Sequence, residues 1–130
     1  MEDSIFTKII KGEIPCHKVH EDDHSLAFLD INPIQPGMVL VVSKQQVDHL
    51  WDLPTDAYDS LMQTVYKVGN QLRKTFPDKK RVAVIVEGFE VAHAHVKLFP
   101  VDNEQQVRAL PAHKEPDHVL LAAMADKLRF

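Results

Sequence analysis

Two imidazoles and an ammonium recur at alternate positions in the segment Val91-Ala92-His93-Ala94-His95-Val96-Lys97-Leu98-Phe99. On an extended strand, side chains two residues apart share a face and stand about 6.6–6.8 Å apart along it. His93, His95 and Lys97 then form a row, with Val91 and Phe99 beside them. Ala92, Ala94, Val96 and Leu98 turn small or apolar side chains to the other face, which is expected to pack on a core. Such a row suits an anion, phosphate above all. A neutral imidazole attacks phosphorus, a protonated one stabilises negative charge, and lysine supplies a point charge for phosphate oxygens. Two other readings fit the same spacing. A solvated strand face is the ordinary outcome for an arbitrary H-x-H-x-K. A metal-ligand pair needs a third ligand, which Lys97, protonated at neutral pH, does not supply. The remaining histidines, His17, His20, His24, His49, His113 and His118, are scattered, and none can be placed beside the row from sequence.

The flanking segments must position that strand. Ser4 caps a short helix over Ile5 to Lys11, with Ile5, Phe6 and Ile9 on one side and Gly12 at its end. His17 to Glu21 and Ser25 to Asp30 read as two strands of a hairpin turned at Asp22-Asp23-His24. Asn32-Pro33 and Gln35-Pro36-Gly37 make a stiff connection to a buried strand over Met38 to Val42. Val47 to Leu53 reads as a helical turn. Pro54 and Thr55 open a long helix whose Leu61, Val65, Val68, Leu72 and Phe76 form one apolar stripe, ended by Pro77-Asp78. Arg81 to Val86 and Val91 to Phe99 follow as strands, the first closed by Gly88 and the second by Pro100. Pro116 and Asp117 start a C-terminal helix with Leu121, Met124 and Leu128 inward. Strands, long helix, strands, helix indicate an α+β fold with an antiparallel sheet, and residues 1–130 read as a single domain.

Bulk properties narrow the function classes. The formal net charge of −4 argues against a broad nucleic-acid binder, which needs a basic surface to displace counterions, but leaves room for a local pocket for one small anion. Cys16 is the only cysteine, so no intrachain disulfide forms. The acidic N-terminus leads into no long apolar run, and the longest uninterrupted one, Val119 to Ala125, falls far short of the roughly 20 residues a membrane helix needs. These features predict a soluble, cytoplasmic protein without a membrane partner.

Four blocks in order resemble the histidine triad (HIT) family, in its Hint-like nucleotide-binding branch. They are Ser4 to Pro15; Glu21-Asp22-Asp23 with Ala27-Phe28-Leu29-Asp30-Ile31-Asn32-Pro33; Gly37 to Val42; and Val91 to Pro100. The resemblance implies an α+β fold that pairs into a homodimer by joining two sheets. It implies hydrolysis or transfer at the α-phosphate of a purine nucleotide or nucleoside phosphoramidate. It makes His95 the nucleophile that carries a covalent nucleotidyl group, and His93 its organiser. It makes Asp30 the acceptor for ribose hydroxyls, and Ile5, Phe6, Ile9, Phe28 and Ile31 the lining of the base site. Read without the resemblance, Asp30 is a turn-forming carboxylate and the two phenylalanines are plain core.

The family pattern breaks at several positions. The third triad position is Lys97, which neutralises phosphate but cannot shuttle protons as imidazole does. The related uridylyltransferase branch has glutamine there and is active. Phe89 and Gln46 stand where many members have glutamine and histidine, and the loop from Val86 to Val91 is short, with Glu87 beside it. Ser4 and Thr7 stand where some members have the two cysteines of a structural zinc site, so no metal and no cofactor is expected. Three hypotheses follow: a nucleotide hydrolase or nucleotidyltransferase, a nucleotide-binding module with little catalysis, and, ranked last, a metal-dependent H-x-H enzyme.

Overall fold

The computed structural model describes residues 2–130. Helix α1 spans Ile5–Ile10, and the Ser4 hydroxyl accepts the Thr7 backbone N–H as its cap. Past its end, Gly12 takes a φ of +82° that favours a residue without Cβ. Strands β1 (Lys18–Glu21) and β2 (Ser25–Leu29) form the expected hairpin. Its turn is held by the Asp22 carboxylate, which accepts the backbone N–H groups of His24 and Ser25, each at 2.9 Å. Strand β3 is Val39–Ser43, a 3-10 turn covers Leu50–Asp52, and α2 runs Thr55–Thr75. Strands β4 (Arg81–Ile85) and β5 (His95–Val101) follow, then α3 (Glu104–Arg108) and α4 (His118–Leu128), the last capped by Asp117.

The five strands make one antiparallel sheet in the order β1-β2-β3-β5-β4. This is the α+β architecture read from the sequence. One sheet face presents Ala27, Leu29, Val41, Val96 and Leu98 to the Leu61, Val65, Val68 and Leu72 stripe of α2 and to Leu128 of α4. Residues at helical and at alternating spacing thus meet in one core. The opposite face is not an open polar row. Leu26, Phe28, Leu40, Val42, Phe99 and Val101 form a second apolar cluster there, covered by Phe6 of α1 and by Met38.

Two strand boundaries depart from expectation. The strand read over Val91 to Phe99 begins only at His95. The His93 N–H turns back to the Val91 carbonyl at 2.9 Å, and the Ala94 N–H goes to the Val47 carbonyl at 2.7 Å, so this approach is a tight turn. Ala92 is accordingly exposed, not in the core. At the other end the strand runs through Pro100. Pairing with β3 stops at Leu98, so the missing proline N–H is not needed on that side.

The two outer strands differ. Arg129 and Phe130 lie along β1: the Phe130 N–H reaches the Val19 carbonyl at 3.2 Å, the Arg129 guanidinium reaches Lys18 O, and His20 Nδ1–H donates to Phe130 O at 2.9 Å. Strand β4 is the other edge of the sheet and pairs, among the described residues, with β5 alone. No helix among the described residues is long and apolar enough to cross a membrane.

Candidate active site

His93 sits in the tight turn before β5, and His95 opens the strand opposite Val42 of β3. Both rings point to the side of the sheet that α1 covers, and both make edge contacts with the Phe6 ring, at centroid distances of 5.7 and 4.9 Å. They are deeply buried, with 0% and 4% of their surface exposed. The two histidines are therefore close neighbours on one side of the sheet, although His93 lies outside the strand.

The hydrogen bonds fix different tasks for the two rings. His93 Nε2–H donates to the Ser43 carbonyl at 2.6 Å, because a carbonyl can only accept. Its Nδ1 is then an acceptor and takes the Ser4 hydroxyl, also at 2.6 Å. Both His93 nitrogens are engaged, so the ring has no free atom for substrate. What it offers is its main chain: His95 Nδ1–H donates to the His93 carbonyl at 2.6 Å. That bond assigns the His95 proton to Nδ1 and leaves the lone pair on Nε2 without a hydrogen-bond partner among the described residues, the state a nucleophile needs.

Ser4 belongs to a larger knot that sequence reasoning did not find. Thr7 Oγ1 donates to Gln46 Oε1 at 2.5 Å, the Ser4 N–H reaches the same oxygen at 2.9 Å, and Gln46 Nε2 donates to the Glu2 carbonyl at 2.8 Å. Ser4, Thr7, Gln46 and His93 thus converge where α1 begins. In sequence they are up to 89 residues apart. The one available signal was that Ser4, Thr7 and Gln46 all stand at positions where the resemblance implies metal-type residues. Among the described residues, no three His, Cys, Asp or Glu side chains are grouped to hold a metal ion.

Lys97 follows His95 on the same sheet face but is not a free cation. Its Nζ lies 3.1 Å from Glu87 Oε1, with the two side chains 14% and 31% exposed. Burial alone would raise the Glu87 carboxyl. Lys97, together with the backbone N–H groups of Gly88 and Phe89, outweighs burial and holds it below the usual carboxylate range. For His95, burial is the main cause that pushes the imidazole below its ordinary value, and the nearby Lys97 charge acts the same way. The His93 carbonyl, Glu87 and Asp30 oppose them only in part. His93 is also lowered, chiefly by burial. Both rings are therefore neutral at pH 7.

This carries a pH signature of definite sign. Protonation of His95 removes the lone pair, so the acid limb of kcat/KM is expected to have its midpoint below about 6.5, the ordinary imidazole value. The same depression makes the unfolded chain bind protons first. Stability contributed by the two rings is complete above about pH 6.5 and is lost as pH falls toward their folded-state values. Rate profiles and denaturant midpoints between pH 4 and 8 check both. An acid limb centred above 6.5 would contradict the desolvated environment.

His95 borders a cleft of about 340 Å³. One wall is Glu87 to Phe89, and the other is Asp48 to Trp51. Phe89 and Trp51 are 90% and 76% exposed, so the mouth is aromatic and open. His49, which sequence could not place, is in this wall. Of the remaining site candidates, Phe6, Phe28 and Ile9 lie on the α1 side, whereas Asp30 and Ile31 line a separate cleft with Pro116, Leu121 and Met124 and are absent from the lining of the His95 cleft. Phe6 and Phe28 are buried edge to face at 5.7 Å, and Ile9 packs partly buried on the same cluster. Ile5 and Ile31 are both exposed. Asp30 follows the end of β2, half-buried, and its Oδ1 accepts the Asn32 N–H at 2.8 Å. The turn-forming role is real, and it leaves the second carboxylate oxygen available.

Comparison with known proteins gives a consistent result. The HIT domain model matches residues 11–104. An uncharacterized HIT-like protein of Methanocaldococcus jannaschii is 40% identical over 99 residues, covering 74% of this chain and 77% of that protein. An adenosine 5′-monophosphoramidase of Schizosaccharomyces pombe is 35% identical over 105 residues, covering 78% of this chain and 76% of that enzyme. The crystal structure of a Hit-like protein from Bartonella henselae matches with a TM-score of 0.82 at 28% identity, covering 98% of this chain and 95% of that one. Sheet order, the buried His93–His95 segment and these matches point the same way, and the chain belongs to the HIT family.

Proposed function

We propose that this protein is a nucleotide hydrolase or nucleotidyltransferase acting at the α-phosphate of a purine nucleotide or nucleoside phosphoramidate. The observation that carries the reading is the His95 ring: neutral, held by the His93 carbonyl through Nδ1, with the Nε2 lone pair uncommitted beside a cleft. In the first step a bond forms between His95 Nε2 and phosphorus while the bond from phosphorus to the leaving group breaks, and the leaving group takes a proton from water. In the second, water attacks phosphorus, the N–P bond breaks, the proton lost by that water neutralises the hydroxide left by the first step, and the nucleoside monophosphate leaves with His95 restored. Asp30 accepts from the ribose hydroxyls, and Ile5, Phe6, Ile9, Phe28 and Ile31 line the base. The phosphoramidase among its relatives supports this chemistry. Intact-protein mass spectrometry of samples quenched during turnover is the test. A nucleotidyl adduct on the wild type, absent from His95→Ala, is expected; turnover without any adduct would refute the covalent route.

A second reading, nucleotide binding with little turnover, draws on one contact. Glu87 neutralises Lys97, so the third triad position brings no net positive charge to the phosphate. Tight nucleotide binding with no hydrolysis of adenosine or guanosine phosphoramidate would favour it over the first.

We also infer that the protein, as one HIT unit over its 130 residues, forms a homodimer through β4. The β1 edge is covered by residues 129–130, whereas β4 is open and shows Val84 53% exposed. An open apolar edge strand is a template for pairing, and antiparallel β4–β4 pairing is self-complementary, as two-fold symmetry requires. Light scattering is expected to give twice the 14.8 kDa chain mass. A Val84→Pro variant should then be monomeric, and a monomeric wild type rules the dimer out.

A further inference from the structure

The chain is acidic overall, with a formal charge of −4, yet residues 73–81 hold Arg73, Lys74, Lys79, Lys80 and Arg81 against the single acid Asp78. The fold turns this stretch into a hollow. Helix α2 ends at Thr75, and β4 starts at Arg81. Cations of the last helical turn and cations leading into the strand both line a cleft of about 410 Å³. Leu72, Phe76, Pro77, Val82 and Pro100 supply the apolar part of its lining. The Phe76 ring is tightly seated: a Cβ added at Gly37 would lie 3.2 Å from it and 3.5 Å from Pro100, and Gly37, at φ +85°, is held in the left-handed region.

The charges in this cleft are mostly uncompensated. Lys79 pairs with Asp102 at 3.1 Å, while Arg73, Lys74, Lys80 and Arg81 form no ion pair among the described residues. The opposing charge is Asp78, Asp102 and the C-terminal end of α2, the last worth about half a charge. A surplus of roughly two to three positive charges remains around one concavity. Arg73 and Lys74 do serve the helix end, but Lys80 and Arg81 approach from the β4 side and have no such duty.

We infer that this cleft binds a small polyanion carrying two or more linked phosphates. Its volume is that of small-molecule sites, about 300–1,000 Å³. Cations on two walls suit a chain of phosphates, and arginine adds bidentate bonds to phosphate oxygens. A long nucleic acid would need an extended basic track, which the acidic remainder of the surface does not provide. The site shares no lining residue with the His95 cleft. Pro100 lies five residues beyond His95 on β5, roughly 17 Å away. The inference is thus independent of the proposed catalysis.

The test is a titration of ¹⁵N-labelled protein with inorganic tripolyphosphate, followed by amide NMR shifts. Saturable shifts are expected at residues 72–82 and 100–102, and they should persist unchanged in His95→Ala. Lys80→Gln/Arg81→Gln should weaken binding at least about tenfold, as loss of two charge-assisted contacts implies. Lys67→Gln, which removes an exposed cation elsewhere on α2, should leave binding unchanged. A parallel titration with ATP separates the two sources of this chemistry: tighter binding at the same residues assigns a nucleotide tail, and equal or weaker binding there assigns a free oligophosphate. Absence of saturation, shifts confined to the His95 cleft, or equal weakening by Lys67→Gln would overturn the site.

Discussion

Alanine at His95 is expected to lower turnover of an adenosine phosphoramidate by about 10³-fold or more, a loss of roughly 4 kcal/mol or more in transition-state stabilisation. No other group is placed to take over. Both His93 nitrogens are bound within the protein, at 2.6 Å to Ser4 and 2.6 Å to Ser43. Lys97 is held by Glu87 and, as an ammonium, carries no lone pair. His49 stands in the cleft wall with Nε2 3.9 Å from Asp48 Oδ2, and no hydrogen bond among the described residues fixes its tautomer as the His93 carbonyl fixes that of His95. The loss should fall on kcat far more than on KM, because the interaction removed exists only along the reaction path. Steady-state kinetics on protein of verified thermal midpoint decides the matter. A His95→Ala enzyme retaining more than a tenth of wild-type kcat would mean that the chemistry lies elsewhere.

Alanine at His93 is expected to do the reverse: a large cost in stability and a smaller one in rate. The ring is fully buried. Removing it opens a cavity under Phe6, takes the ring N–H from the buried Ser43 carbonyl and leaves the Ser4 hydroxyl only its contacts with Thr7. Together these should cost about 3–5 kcal/mol. The carbonyl that holds His95 is retained, because it belongs to the main chain. Turnover of the fraction that stays folded should drop about 10- to 100-fold, from a looser His95, well short of the loss at His95 itself. Chemical denaturation combined with kinetics at low temperature separates the two effects. The assignment of His93 as a positioning residue is refuted if its alanine variant matches the wild type in stability but is as inactive as His95→Ala.

What the sequence made legible was local. The Ser4 cap, the Asp22 turn and the apolar stripe of α2 each rest on residues a few positions apart, and each stands as read. The alternation around His95 correctly assigned Val96 and Leu98 to the helix-covered face. It failed at Ala92 because alternation presumes a strand, and a single N–H turning back to the Val91 carbonyl ends it. The tertiary pairings were out of reach. Ser4 meets His93 across 89 residues of chain, and Asp48 to Trp51 form a wall of the His95 cleft only through the packing of the sheet. Lys97 read as a phosphate ligand because nothing local shows that β4 delivers Glu87 beside it. The order of elements supplied the architecture, but the state of charge at the third triad position needed the coordinates of Lys97 on β5 and of Glu87 beyond β4.

The bond from His95 to the His93 carbonyl also bears on how this protein tolerates genetic change. Every residue type has a carbonyl, so no codon at position 93 can delete the acceptor that aims the nucleophile. Point mutations there act through fit and folding, which a compensating change at Ser4, the side-chain partner of the ring, can offset. The vulnerable element is instead the path of the chain between Val91 and His95. A single inserted or deleted residue in that turn would swing the carbonyl away and disarm an otherwise intact histidine.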